Sequence, residues 1–182
     1  MLGNNIELRF WNVAGVSENY VNGKDYVSAE KYGFDDLVIV PYRINEGRGK
    51  RMTYDDIKEI GYTIENLVEE VLDRTEYRIL TLMDVAMESE VSEEIDMGEV
   101  AHAPFKIVKA SNNGGAIGII PATKELRERY PDGYVVIPSS TDEVLVMSAS
   151  EEVDVLNAIV GTINETMLDP NKVLSYKCYV FK

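Results

Sequence analysis

Cysteine, histidine and tryptophan occur once each in 182 residues, and each scarcity excludes a class of chemistry. Cys178 has no second thiol to pair with, so the chain makes no internal disulfide and a reducing, cytoplasmic location is expected. His102 has no second imidazole, which rules out a two-histidine metal site within one chain. No run of 18 apolar residues is present, so no membrane-spanning helix is expected. The start, Met-Leu-Gly-Asn-Asn-Ile-Glu-Leu-Arg, lacks the basic-then-apolar order of a signal peptide. Neither a Gly-x-x-x-x-Gly-Lys phosphate loop nor an Asp-x-Asp-x-Asp-Gly calcium loop occurs, and no cofactor or metal is expected.

Bases are also few: 18 against 32 acids, for a net charge of −14. The imbalance is local. Residues 55–99 hold 15 acids and 3 bases, a net −12, and all other residues together carry −2. An acidic segment of this kind is either a solvated face that keeps the chain in solution or a face that docks on a basic groove. It is the reverse of the basic footprint of a nucleic-acid binder.

The apolar content of 45% suits a globular chain that buries roughly 70% of its unfolded surface. One α+β domain over residues 1–182 is expected, with sub-units 1–99 and 100–182 about the acidic centre. Ile6, Leu8 and Phe10 alternate with Glu7 and Arg9, as in a half-buried strand. Asn22-Gly23 is read as a type I′ hairpin turn between residues 19–21 and 25–27. Leu37 to Val40 is a buried strand with Pro41 at its end. Asn45 to Arg51 is a loop which, with Arg43, carries the bases Arg48, Lys50 and Arg51. These suit contact with a phosphate backbone or an acidic partner.

Thr53 caps a helix that stops near Gly61, and Thr63 caps a second. Ile64, Leu67, Val68, Val71 and Leu72 form an amphipathic stripe in that second helix, opposite Glu65, Glu69, Glu70 and Asp73. Residues 77–87 fit helix or strand, and context favours strand. Residues 88–99 form an exposed acidic stretch. Ala116 to Ile120 is read as a strand, Thr123 to Tyr130 as a helix, and Tyr134 to Ile137 and Val144 to Met147 as strands. Residues 151–167 form a helix with Ser150 as N-cap, Pro170 beyond its end, and a buried stripe of Val155, Leu156, Ile159, Val160 and Ile163. Val173 to Phe181 is the closing strand. Strand-helix-strand order recurs twice, which raises an internal duplication as one option. The fold class is α+β: a mainly antiparallel sheet with helices packed on it.

Several pieces carry a resemblance: Asp36-Leu37, Gly115-Ala116, Pro138-Ser139-Ser140-Thr141-Asp142-Glu143-Val144, Asn164, and Val173-Leu174-Ser175 with Tyr179. Over roughly Phe34 to Lys182 the chain resembles an uncharacterised domain family of gut Clostridia. That resemblance implies no activity. The family pattern has histidine where this chain has Asp142, so acid-base or metal work resting on that imidazole has no counterpart here. Ser139, Ser140 and Thr141 read as turn residues, without a visible general base.

The expected function is a non-enzymatic interaction module. Glu65, Glu69, Glu70, Asp73, Glu88, Glu90, Glu93, Glu94 and Asp96 are the candidate partner-binding residues. Arg48, Lys50 and Arg51 are candidates for a weak DNA contact. In size and charge the chain also resembles the anti-CRISPR proteins of phages and mobile elements. That likeness implies a type II CRISPR nuclease with its guide RNA as partner. The alternative is a small-ligand binder or enzyme using the Pro138 to Glu143 turn, and a third reading is an accessory domain for an unidentified partner. Cys178 reads as a buried strand residue, and Trp11, Tyr20, Tyr26, Tyr32 and Tyr42 as core aromatics or interface anchors.

Overall fold

The nine-residue strand β3 (Leu37–Asn45) forms the spine of a four-stranded antiparallel sheet. The structure is a computed structural model and describes residues 5–14, 22–88, 103–149, 153–166 and 172–182. β1 (Ile6–Asn12) runs along one side of β3, and β2 (Val27–Ser28) and β4 (Arg48–Arg51) share the other. A second, five-stranded sheet is also antiparallel, in the order β5-β6-β8-β7-β9. Its strands are β5 (Tyr77–Leu80), β6 (Phe105–Ala110), β7 (Tyr134–Ile137), β8 (Val144–Ser148) and β9 (Tyr179–Phe181). The helices are α1 (Tyr54–Glu59), α2 (Ile64–Asp73), α3 (Leu82–Glu88), α4 (Ile119–Arg129) and α5 (Val153–Thr166). The fold is α+β, as the sequence pattern implies.

Alternation sets the inner face of the first sheet. Ile6, Leu8 and Phe10 of β1 and Leu37 and Ile39 of β3 are buried there. They join the apolar stripe of α2, Ile119, Ala122 and Leu126 of α4, and Val108, Val136, Val144 and Val146 of the second sheet in one core cluster. A smaller cluster, Val135, Val160 and Cys178, lies where α5 covers the other face of the second sheet.

The loop after β6 joins the two sheets. Leu8 donates its N–H to Asn113 Oδ1 (2.7 Å) and accepts at its carbonyl from the Gly114 N–H (3.0 Å). Asn113 Nδ2 donates to Thr75 Oγ1 (2.8 Å), and Thr75 Oγ1 donates to the Val71 carbonyl at the end of α2 (2.8 Å). The glycines that follow admit no side chain. A Cβ on Gly115 would stand 1.5 Å from the Asp142 carbonyl oxygen, and one on Gly118 would stand 2.5 Å from the Ala110 nitrogen.

Several expectations are corrected. Pro41 lies inside β3, not at its end. Its partner Leu8 turns both backbone groups away from β3, so the β1–β3 ladder needs no donor from the proline. Residues 45–51 are not a loop but the tip of the β3–β4 hairpin, turned by Glu46 (φ 49°) and Gly47 (φ 75°) in the left-handed region that a type I′ turn requires. Asn22-Gly23 is not such a turn, since φ at Gly23 is not positive. Asn22 instead accepts the Asp25 and Lys24 N–H groups, and the proposed partner residues 19–21, Tyr20 among them, lie outside the described residues.

Residues 77–87 divide into β5 and α3, because Thr81 and Asp84 close a reciprocal cap that starts a helix. Ala116 to Ile120 is not a strand. A 3-10 turn at Gly115–Gly118 runs into α4, whose first turn accommodates Pro121 because those N–H groups have no helical partner. The closing strand is only Tyr179–Phe181. In α5 Val155 faces solvent, while Val160 and Asn164 are buried. The side chains of Ile159 and Ile163, the Ser150 cap and Pro170 lie outside the described residues. The two strand-helix-strand runs are wired differently: β3 and β5 belong to different sheets, whereas β8 and β9 flank β7 in one.

Gly115→Ala should destabilise the chain by about 2 kcal/mol, because backbone must move to admit the methyl group. Gly161→Ala is the control: a Cβ there meets nothing within 4 Å in the middle of α5, and a gain of about 0.5–1 kcal/mol is expected. Urea unfolding of both variants measures the contrast.

Candidate functional site

Helix α2 presents four of the nine candidate acids on one rigid element. Thr63 caps it by accepting the Asn66 N–H (3.3 Å), and the buried stripe from Ile64 to Leu72 fixes its rotation. Glu65, Glu69, Glu70 and Asp73 therefore all face solvent. Glu65, Glu69 and Asp73 stand in an i, i+4 row that rises by about 6 Å per step. Glu69 pairs with Lys31 at 3.0 Å, and Glu70 accepts the Tyr62 hydroxyl at 2.8 Å. This row works against the helix: like charges four apart cost about 0.2–0.5 kcal/mol per pair. Asp73 occupies the last turn, where the helix dipole favours a cation.

Glu88 is not on this face. It ends α3 and is bound to Arg78 of β5. Glu90, Glu93, Glu94 and Asp96 lie outside the described residues, as does His102. Among the described residues, no group of three or more histidine, cysteine or carboxylate side chains could hold a metal ion, and no helix is long and apolar enough to cross a membrane.

The hairpin bases divide between two surfaces. Arg51 pairs with Tyr42 across the ladder, on the outer face of the first sheet. There Trp11, Tyr26 and Tyr42 pack on Val38 and Val40. The Arg9 guanidinium lies 4.4 Å from the centre of the Tyr42 ring, and that of Arg51 lies 6.0 Å from Trp11. Burial pushes the Tyr42 hydroxyl pKa up, and the positive charge of Arg9 and Arg51 partly counters it. Arg48 and Lys50 project to the opposite face by strand alternation, with Arg43. On that side Asp56 is held below the usual carboxylate range, chiefly by the Thr53 N–H and hydroxyl, with Lys50 and Arg43 adding to the effect.

The Pro138 to Glu143 turn employs its hydroxyls internally. Ser139 Oγ donates to the Glu143 carbonyl (3.0 Å), and Ser140 Oγ accepts the Asp142 N–H (3.1 Å). Asp142 pairs with Lys172 at 2.6 Å, and the Thr141 carbonyl accepts the Ala116 N–H. Cys178 is buried, and desolvation raises its thiol pKa to about 11, which leaves little thiolate at neutral pH.

The residues that carry the family resemblance meet elsewhere. Asp36 accepts from Ser175 Oγ (2.8 Å) and from the Tyr179 hydroxyl. The Ser175 carbonyl accepts from Asn164 Nδ2 (2.8 Å), and the neighbouring Leu174 carbonyl accepts from Asn12 Nδ2 (2.9 Å). Asp35 beside it pairs with Lys177 at 2.6 Å. Ser175, Asn164 and Tyr179 are buried. This knot binds the turn before β3 to the C-terminal segment and to α5. Asp36, Asn164, Leu174, Ser175 and Tyr179 belong to the signature, whereas Asn12, Asp35 and Lys177 do not, and no local pattern shows that they meet.

These features define an α+β protein of two antiparallel sheets joined by a glycine-rich turn, with a half-buried aspartate tying the head of β3 to the C-terminal segment. The chain belongs to a family of unknown function, DUF5688, whose profile matches residues 34–182. The match starts at Phe34 and takes in the glycine turn, the acidic helix and the knot apart from Asn12. No curated protein and no solved structure matches the chain.

Burial, and then the bond to Asp36, hold the Tyr179 phenol protonated far above its ordinary range. Above about pH 10 the unfolded phenol loses its proton while the folded one keeps it, so stability falls as pH rises. Tyr179→Phe should remove about one proton's worth, near 1.4 kcal/mol per pH unit, from the alkaline slope of denaturant stability. An unchanged slope would mean the phenol titrates normally in the fold.

Proposed function

We propose that the protein is a non-enzymatic interaction module whose acidic α2 face docks on a basic surface of a partner. One observation carries this reading: Glu65, Glu69 and Asp73 form a solvent-facing row of carboxylates, the middle one paired with Lys31, on a helix whose own stability that row lowers. A regular row of negative charge on a rigid support is the kind of surface that a basic, phosphate-binding groove accepts, and it steers association. In its sharpest form the partner is a type II CRISPR nuclease loaded with guide RNA, and the protein is an inhibitor of the anti-CRISPR kind that blocks DNA binding or cleavage. The origin in gut Clostridia or their mobile elements is part of the same proposal. The signature turn at Pro138 to Glu143 favours no second reading, since its serine hydroxyls bond their own backbone and that of Thr141 bonds the Asp142 side chain.

The test is a guide-directed DNA cleavage assay with co-purification, comparing the parent chain with Glu65→Lys/Glu69→Lys/Asp73→Lys. Inhibition and complex formation by the parent are expected, with affinity lost at least tenfold in the variant at low salt. Asp73→Asn supplies the paired readout: weaker binding together with a stability gain of about 0.3–1 kcal/mol. Equal affinity of the triple variant for a partner that the parent binds would remove α2 from the interface.

A further inference from the structure

Among the described residues, the hairpin that carries the bases ends in an open sheet edge, and the ladder shows which atoms face out. The Ile44 N–H donates to the Asn5 carbonyl on the β1 side (2.7 Å), so its neighbours Arg43 and Asn45 point their backbone groups at β4. Their partners across the ladder are Lys50 and Arg48. Gly49 and Arg51 therefore turn their N–H and C=O groups to the far side of β4. The Met52 N–H, bonded to the Pro41 carbonyl (2.9 Å), keeps the same alternation. Among the described residues β3 is the sole strand partner of β4. The type I′ turn at Glu46-Gly47 and the Arg9 guanidinium over Gly49 hold this edge in register, since a Cβ on Gly49 would stand 3.0 Å from Arg9 Nη2.

The side chains of the edge are of one sign and lie on both faces: Arg51 beside Arg9 on the outer face, Arg48 and Lys50 on the other. Charges on an edge repel a second basic strand and leave it open to an acidic one. A nucleic-acid backbone running over the sheet would reach only one of the two faces. It would also meet two guanidiniums already seated on aromatic rings, in a chain of net charge −14. An extended polypeptide matches the pattern, because its alternating side chains address both faces while its backbone pairs with Gly49 and Arg51. We infer that β4 is a strand-addition site that takes an acidic, extended segment of a partner protein. The site uses an element and a charge opposite to those of the α2 face, and it stands independently of that proposal.

The experiment is a titration of the isotope-labelled full chain with the peptide Thr-Val-Glu-Glu-Val-Glu-Thr, read by amide shifts and hydrogen exchange. In the free protein the Gly49 and Arg51 amides should exchange quickly and the Lys50 amide slowly. Peptide at saturation should slow Gly49 and Arg51 at least tenfold. N-methylation of the peptide on its pairing edge should abolish that protection, as should replacing its glutamates by glutamine. Lys50→Glu/Arg51→Glu should weaken binding about tenfold, the loss expected for about 1.4 kcal/mol of charge pairing. The inference is overturned if the Gly49 and Arg51 amides gain no protection, or if the N-methylated peptide binds as well as the parent peptide. Tighter binding of a ten-residue deoxythymidine strand to the same edge would overturn it too.

Discussion

The contact between Leu8 of β1 and the Asn113-Gly114 turn is the constraint on which the two-sheet arrangement rests. It satisfies both backbone groups of an edge residue that would otherwise face a dry core, and it does so with the loop that leaves the second sheet. The same Asn113 reaches Thr75, and its neighbour Asn112 holds the Glu76 N–H and the Arg74 carbonyl. Three elements distant in sequence, β1, the end of α2 and β6, are thereby tied to one pair of side-chain amides. The glycines that follow are needed because backbone approaches backbone there with no room for a Cβ.

On that frame the acids of α2 and the bases of the hairpin sit on different elements, although Glu69 pairs with Lys31 and Arg9 with Glu7. Acids occupy the solvent side of α2, and bases occupy the β3–β4 hairpin and the neighbouring Arg9. Such separation gives the protein a directional field, which governs how a partner approaches more than how tightly it is held. The interior is built on other principles. The buried side chains of Asp25, Thr75, Asn164 and Ser175 are hydrogen-bonded, and aromatic contacts stack Tyr134 on Phe181 and set Phe34 edge-on to Tyr179.

Elements whose pattern is local were readable from the chain. The stripe of α2, the caps at Thr53 and Thr63, and the alternation in β1 each depend on residues within a turn or two of one another. Pro41 was misplaced because its acceptability depends on where Leu8, far away in sequence, directs its backbone. The hairpin at Glu46-Gly47 escapes the pattern because glutamate is an uncommon residue in the left-handed region, and Gly23 suggests the same turn where one without positive φ forms. Residues 116–120 are apolar enough for a strand. What makes them a 3-10 turn and a helix start is the close packing of Gly115 and Gly118, which no local pattern reveals. The acidic row was legible as a face. The division of Arg48 and Lys50 from Arg51 was not, since it follows only once the segment is known to be a strand.

Asp36 is bonded to Ser175 and Tyr179, 139 and 143 residues further on. Closing such a contact brings together the ends of a loop of about three-quarters of the chain, an entropic cost that slows folding relative to a protein of local contacts. During synthesis at about 5–20 residues per second, the first sheet would wait on the order of ten seconds for the segment that completes it. Over that interval the carboxylate at the head of β3 lacks both of its native hydroxyl donors. The second sheet meanwhile lacks the strand that covers β7. Nascent chains of this protein therefore cannot close that seam until the C-terminal segment has been made.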